Sequence, residues 1–555
     1  MIYVYTNNMI LKGNKHENEI MRSLAVLVVM FAIASLAVKA LHGLDQDEQA
    51  IYCIMQRFLQ GDRWLIDLYD PRQFAALIGM PFFWFSAFVC PKNPVLAFRV
   101  ISILVSVFIS RYLYKFIKQE TKSKSISLLC VLCWLTITPK FIIALDHSHL
   151  FYIFSTLYIV HLYKAYKCSN KSEVYIVGAI FCGMVLCYPS MVVLFIPTAI
   201  ILVLTCGWRS IIKYLSTCIV IASFFLIPCI LSIGITGLKE SIKMVLMDGT
   251  HDIGKSLSEK FFFEIDLWKA AGKYILIYIG ACIIDYFISK KRDSYYARLI
   301  ALLFPFIRIT ILCVSGVKMY PFEEIFRYLV LLIILMIESV RKKNWEMMIC
   351  SIAPALFFII AWKSTNNGMI SSCGYLVTSA VLLIVFLHNS NHKVAMVVAV
   401  VVLLSQCGIN AINYRASGTP PTSLYSMDLV ENDSYLYGLR IEESTDKILS
   451  NIDYISQMLD SENIVFIGKD IYATRLLGKN YYMPVTTASI SIDQQWERYF
   501  ISNPSDNFDV LIEGTEGMEN VEFNKLQMIV EKLHYNIQEC ETGDGFSIIH
   551  YVKER

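Results

Sequence analysis

Charge is scarce in this chain. Asp, Glu, Lys and Arg make up 17% of its 555 residues, where a soluble domain usually carries about 25%. Their balance is nearly even: 49 Lys and Arg against 46 Asp and Glu leave a net charge of +3. So small an excess supplies no basic stripe for a phosphate backbone, which excludes nucleic acid as a partner. The stretches expected to meet water hold only scattered cysteines (Cys53, Cys373, Cys540), with no CxxC pair and no Cys/His spacing suited to zinc. That excludes a structural metal centre of the zinc type. Most of the 16 cysteines sit inside apolar runs, as Cys130, Cys133, Cys182, Cys187, Cys218 and Cys229 do, where a thiol serves as a small hydrophobe. No internal repeat is present, against the paired halves of many secondary transporters.

What the chain has in abundance is apolar surface. Hydrophobic residues reach 56% and the mean hydropathy is +0.52, which makes this a membrane protein built as one large helical bundle. The first apolar run, 23–41, follows Lys12, Lys15 and Arg22 without a convincing cleavage site and reads as an uncleaved anchor. Twelve further spans are expected near 94–112, 125–145, 149–164, 174–188, 190–206, 211–233, 271–289, 298–316, 327–340, 346–362, 375–388 and 394–411. Each is long enough, or nearly so, for about 30 Å of hydrocarbon.

The total of about thirteen puts the two ends of the bundle's chain on opposite sides. Basic clusters choose the side: Arg111 to Lys124, Lys164 to Lys171, Arg209 and Lys213, Lys290 to Arg292, and Arg341 to Lys343 share one parity. That side is the cytoplasm by the positive-inside rule, provided that 174–206 crosses twice rather than once. The composition, rich in Lys, Ile and Tyr, suits a bacterial plasma membrane, with the N-terminus cytoplasmic and the C-terminal region exported.

After residue 412 the breaker cluster Gly418, Thr419, Pro420 and Pro421 opens a polar region. Short strands at 463–468, 508–514 and 546–552 alternate with helical segments at 444–460 and 518–534, as in a small α/β domain. The expected organisation is therefore mainly α: a polytopic transmembrane helix bundle over 1–411, with an outer loop at about 42–93, and an extracytoplasmic α/β domain over 412–555. That domain has no Gly-rich phosphate fingerprint and no nucleophile elbow. Its expected role is packing or covering a substrate.

Chemistry gathers where the first span ends. Asp45, Asp47 and Glu48 open an amphipathic helix in which Ile51, Ile54, Met55, Phe58 and Leu59 share one face, and a second such stretch covers 73–90. A carboxylate at a membrane surface can take a proton from an acceptor hydroxyl, or can simply be a solvated loop charge. Asp45 and Asp47 also form a DxD, two ligands of the four or more that a Mg or Mn ion would need.

The string Asp47, Glu48, Tyr52, Gly61, Asp62 and Trp64 resembles the first outer loop of GT-C glycosyltransferases, above all the lipid-linked aminoarabinose transferases and protein mannosyltransferases. Pro81, Trp84 and Arg99 are similar to the features that follow that loop. Asp146 in ALDHSH and the trio Arg327, Tyr328 and Leu329 resemble later family motifs. One departure is plain: the aminoarabinose enzymes carry Lys-Pro-Pro where Gly79, Met80 and Pro81 stand here, so no phosphate-binding lysine can be transferred to this position. Arg72 and Gln73 in DLYDPRQ are the substitutes at hand, or the ordinary start of a helix after Pro71.

The resemblance implies a GT-C-like fold and an inverting transfer of a hexosyl or pentosyl group from a polyprenyl-phosphate carrier to an extracytoplasmic glycan, lipid or protein. It gives Asp47 the role of base, with Asp45 and Glu48 as further catalytic candidates. Asp146, Arg327, Lys318, Arg72, Gln73 and Tyr52 become candidates for substrate binding, and Arg327 or Lys318 for steadying the leaving phosphate. A divalent cation on Asp45 and Asp47 is open, since some relatives need none. Membrane lipids are partners in any case. The rival readings are a lipid-linked polysaccharide polymerase or flippase, and after those a transporter.

Overall fold

The computed structural model describes residues 23, 26–139, 142–168, 172–247, 256–288, 296–314, 321–364, 373–412, 427–431, 436–441, 450–469, 471–488, 491–514, 519–543 and 545–554. The described residues of the bundle form sixteen helices in chain order. They are α1 (Val26–Ala40), α2 (Gln46–Gln60), α3 (Gln73–Val89), α4 (Pro94–Thr121), α5 (Lys124–Leu135), α6 (His147–Cys168), α7 (Glu173–Cys187) and α8 (Phe195–Cys206). Then come α9 (Arg209–Leu246), α10 (Leu257–Phe263), α11 (Ile265–Ile288), α12 (Tyr296–Val314), α13 (Pro321–Arg341), α14 (Trp345–Lys363), α15 (Cys373–Ser390) and α16 (His392–Ile412).

A helix stands at every stretch expected to span, and five of the described helices are long and apolar enough by themselves to cross a membrane. The expected span 125–145 is shorter than read. α5 stops at Leu135 because Thr136, Ile137 and Thr138 are β-branched and Pro139 disfavours a helical Thr138. The doubtful stretch 174–206 does break: Tyr188 leaves the helix with extended backbone, and a 3-10 turn (Pro189–Leu194) leads into α8.

Helix ends sort into two sets. At one, the Tyr163 hydroxyl and Lys167 both reach Glu120 (2.8 and 2.6 Å), His388 meets the Thr121 carbonyl (2.8 Å) and Lys342 lies 4.3 Å from the Phe386 ring centre. The described basic clusters fall at this end. At the other, the Asn410 amide donates to Thr136 and Ser35, and the Arg440 amide donates to the Leu41 carbonyl.

Among the described residues the C-terminal region carries seven strands: β1 (Asp428–Leu429), β2 (Arg440–Ile441), β3 (Asn463–Ile467), β4 (Asn480–Tyr481), β5 (Asn507–Glu513), β6 (Tyr535–Gly543) and β7 (Phe546–Lys553). The last five form one sheet in the order β4-β3-β5-β7-β6. β3 runs parallel to β4 and β5, while β7 is antiparallel to β5 and β6, with Val510 opposite Ile549. All three strands read from the sequence are present. Helices 493–502 and 521–532 cover the sheet through Trp496, Phe500, Phe523 and Leu526. The breaker cluster 418–421 lies outside the described residues.

Two described helices help to join sheet and bundle. α2 is one: Ile51, Tyr52, Ile54 and Met55 belong to the bundle's core, whereas Ala50 and Cys53 belong to the sheet's. The amphipathic pattern read at 47–60 thus has a second buried side, which the sheet roofs. The other is α9, 38 residues with a break at Gly234 (φ 71°, ψ 174°). Beyond the break, Glu240 and Ser241 meet Arg498, and the carbonyls of Met244 and Met247 accept from Gln495.

Candidate active site

The three carboxylates at the head of α2 have three different fates. Asp45 caps the helix: its backbone is extended (φ −72°, ψ 150°) and its Oδ1 accepts from the Asp47 amide at 2.9 Å, the usual solution for an orphan first-turn donor. Glu48 turns inward, where Arg99 grips it through two N–H groups at 2.8 and 2.7 Å and the Tyr52 hydroxyl, one turn on, donates at 2.7 Å. Both charged side chains are 2% exposed. Arg99 also donates to the carbonyls of Ala40, His42 and Gly43, tying α4 to the chain that joins α1 and α2.

Asp47 sits about 100° around the helix from Glu48 and keeps 30% of its side chain exposed. Its Oδ1 accepts from Arg72 Nη1 at 3.1 Å. Arg72 in turn is fixed by Asp70, whose Oδ1 and Oδ2 accept from Nε (2.9 Å) and Nη2 (2.8 Å). Burial alone would push the Asp70 carboxyl up; the charge of Arg72 and hydrogen bonds from Arg72 and Thr486 overcome it and hold the group down at about 2. Buried Asp70 and half-buried Arg72 make an anion–cation unit whose outer edge faces Asp47.

The loop between α2 and α3 is built to hold that unit. Gly61 ends α2 in the left-handed region (φ 111°), open to glycine at no steric cost. Asp62 then folds back to Arg57 Nε, and Arg57 also donates from Nη1 and Nη2 to the carbonyls of Met483 (2.6 Å) and Asp67 (3.0 Å). Trp64 donates its indole N–H to the Phe225 carbonyl of α9. The Gly-Asp and Trp of the family-like string are thus loop-forming residues.

The other expected residues divide. Arg72 joins Asp47 directly. Tyr52 and Gln73 are fully buried: Tyr52 stacks on Phe83 and serves Glu48, and Gln73 Oε1 accepts from the Leu65 amide at 2.8 Å. Both carry the frame rather than an open surface. Asp146 caps α6 by accepting from the His149 amide at 2.7 Å, beside His147. Arg327 donates to Ser405 and Gln406 of α16. Lys318 lies outside the described residues. Sequence reading passed over Asp70, Arg57 and Thr486. The run DLYDPRQ held a signal for the first; Thr486, 414 residues from Arg72, carried none.

A divalent cation does not fit the DxD as it stands. One Asp45 oxygen is engaged by the helix it caps and Asp47 pairs with the Arg72 guanidinium, which leaves the two carboxylates short of the ligands a divalent cation needs. Among the described residues no group of three or more His, Cys, Asp or Glu is arranged for a metal.

Residues 80–232 match the family described as dolichyl-phosphate-mannose-protein mannosyltransferase. The match runs from the second half of α3 into α9 and supports the GT-C resemblance drawn from the residues before and within it. No curated protein matches the chain. Among solved structures, the archaeal oligosaccharyltransferase AglB from Archaeoglobus fulgidus, in complex with an inhibitory peptide and a dolichol-phosphate, is 10% identical at a TM-score of 0.37, over 95% of this chain and 74% of that one. ArnT from Cupriavidus metallidurans in the apo state is 10% identical at a TM-score of 0.35, over 95% of this chain and 98% of that one.

Proposed function

We propose that this protein is a membrane glycosyltransferase of the GT-C type that moves a sugar from a polyprenyl-phosphate carrier to an acceptor outside the cytoplasm. The observation that carries the reading is the division of labour at the head of α2. Asp45 is consumed by a helix cap and Glu48 by a buried ion pair, which leaves Asp47 as the carboxylate of the three that a substrate can reach. In this reading Asp47 takes the proton from the acceptor hydroxyl as that oxygen attacks the anomeric carbon, and the sugar leaves its phosphate with inversion. Arg72, on the Asp47 edge of its guanidinium, is placed to meet the phosphate's negative charge. A donor anchored in lipid suits a site on this side, since nucleotide sugars are confined to the cytoplasm.

The test is single-turnover transfer from a polyprenyl-phosphate sugar by purified protein. Asp47→Asn keeps the side chain's shape but cannot accept a proton, and a loss of about 10²–10⁴-fold in rate is expected with donor binding retained. Full turnover by Asp47→Asn would remove the base from this mechanism. Efficient transfer from a nucleotide sugar with no lipid intermediate would remove the donor.

A further inference from the structure

The bonds around Arg72 do not end in the outer loop. The segment that leaves β4 is stitched to that loop at three nearby residues: the Met483 carbonyl accepts from Arg57 (2.6 Å), the Pro484 carbonyl accepts from the Tyr69 amide (2.8 Å), and Thr486 enters the Asp70–Arg72 pair itself. The Thr486 hydroxyl donates to Asp70 Oδ2 at 2.5 Å and accepts from Arg72 Nη2 at 2.9 Å. A hydroxyl has one proton to give and lone pairs to receive with, so this single group satisfies both charges at once. Thr486 is 1% exposed, too deep to meet a substrate.

We propose that Thr486 is a positioning residue for the transfer reaction: it locks the Arg72 guanidinium against Asp70 and so fixes what Arg72 presents at Asp47. The inference rests on the glycosyltransferase reading above and gives the C-terminal region a part in it. Asp70 takes two bonds from the Nε and Nη2 edge of the guanidinium. Thr486 adds a third bond, on the second proton of Nη2, while Nη1 reaches Asp47. Because β4 supplies this segment, the sheet becomes a structural member of the site rather than a roof over it. Small displacements of a polar group at a reacting centre are expensive; about 1 Å can cost on the order of 10²-fold.

Full-length protein in lipid nanodiscs, assayed with a polyprenyl-phosphate sugar, tests this with Thr486→Val and Thr486→Ser. Valine keeps the branched shape without the hydroxyl, and serine keeps the hydroxyl. The expected result for Thr486→Val is a kcat lower by about tenfold with the acceptor KM little changed and Tm within a few degrees of wild type. Thr486→Ser should return kcat to within about twofold of wild type. Should Thr486→Val fail to fold, Thr486→Ala is read in the same way. Wild-type kcat in the folded variant lacking the hydroxyl, or no recovery with serine, overturns the role of Thr486 alone. Wild-type protein that neither transfers sugar nor binds undecaprenyl phosphate overturns the transferase reading, and this inference with it.

Discussion

Single residues at the head of α2 look interchangeable on paper and are not. Glu48→Ala would strand Arg99 in the interior without its carboxylate, a change that typically costs about 3–5 kcal/mol. The expected outcome is a collapse in folded yield and a lowered Tm, measured by size exclusion and thermal melts. Asp45→Ala removes a helix cap, about 1 kcal/mol, and should leave a folded protein. Asp70 sets a pH limit. Its carboxyl falls from an ordinary 3.8 to about 2 in the fold, worth about 2 kcal/mol. A depressed carboxyl stabilises fully above its unfolded value, so this contribution is intact at neutral pH and is lost as pH falls from about 4 towards 2. Melting curves of wild type and Asp70→Asn should converge only across that window. The sequence made this acidic cluster visible but not its division of roles, because Arg99 lies 51 residues from Glu48 and Arg72 lies 25 from Asp47. No local pattern encodes which carboxylate meets which arginine.

At the scale of elements, periodicity located the helices well and misjudged their surroundings. α2 has the apolar stripe expected of a helix resting on a membrane, yet Ala50 and Cys53 on its other side pack into the sheet's core. Small residues are weak signals of burial, and their partners come from beyond residue 450. The close seat of α3 was equally hidden. At Gly79 an added Cβ would meet the Met55 methyl and would come within 3.2 Å of the Leu145 carbonyl. Gly79→Ala should be tolerated, since the tip of Met55 can swing aside. Gly79→Val presses a branched side chain against the fixed carbonyl and should cost about 1–3 kcal/mol, seen as a lower Tm and weaker transfer. The aromatic flank of α3 stays open: Trp84, Phe85 and Phe88 are exposed, which suits contact with lipid at the membrane boundary.

Across the whole molecule, the described basic clusters share one end of the bundle, while Asp47, the sheet and the end of α16 share the other. If the basic end is cytoplasmic, Cys540, exposed on β6, should react with a membrane-impermeant maleimide in intact cells, and Cys540→Ser should abolish that signal. Labelling that needs a permeabilised membrane would invert the orientation. α9 adds a mechanical consequence. Its turns before the break at Gly234 already extend about 38 Å against a hydrocarbon layer of about 30 Å, so the turns after Gly234 stand clear of the bilayer and carry the contacts with Arg498 and Gln495. Those turns act as a mast, and a mast has both a height and a bearing. One residue inserted after Gly234 swings Glu240 and Ser241 by about 100° and lifts them only about 1.5 Å, so the sheet loses its moorings by rotation. Four inserted residues bring the bearing nearly back while raising the hold by about 6 Å, so the sheet can stay moored to α9 only by pulling Thr486 off Arg72.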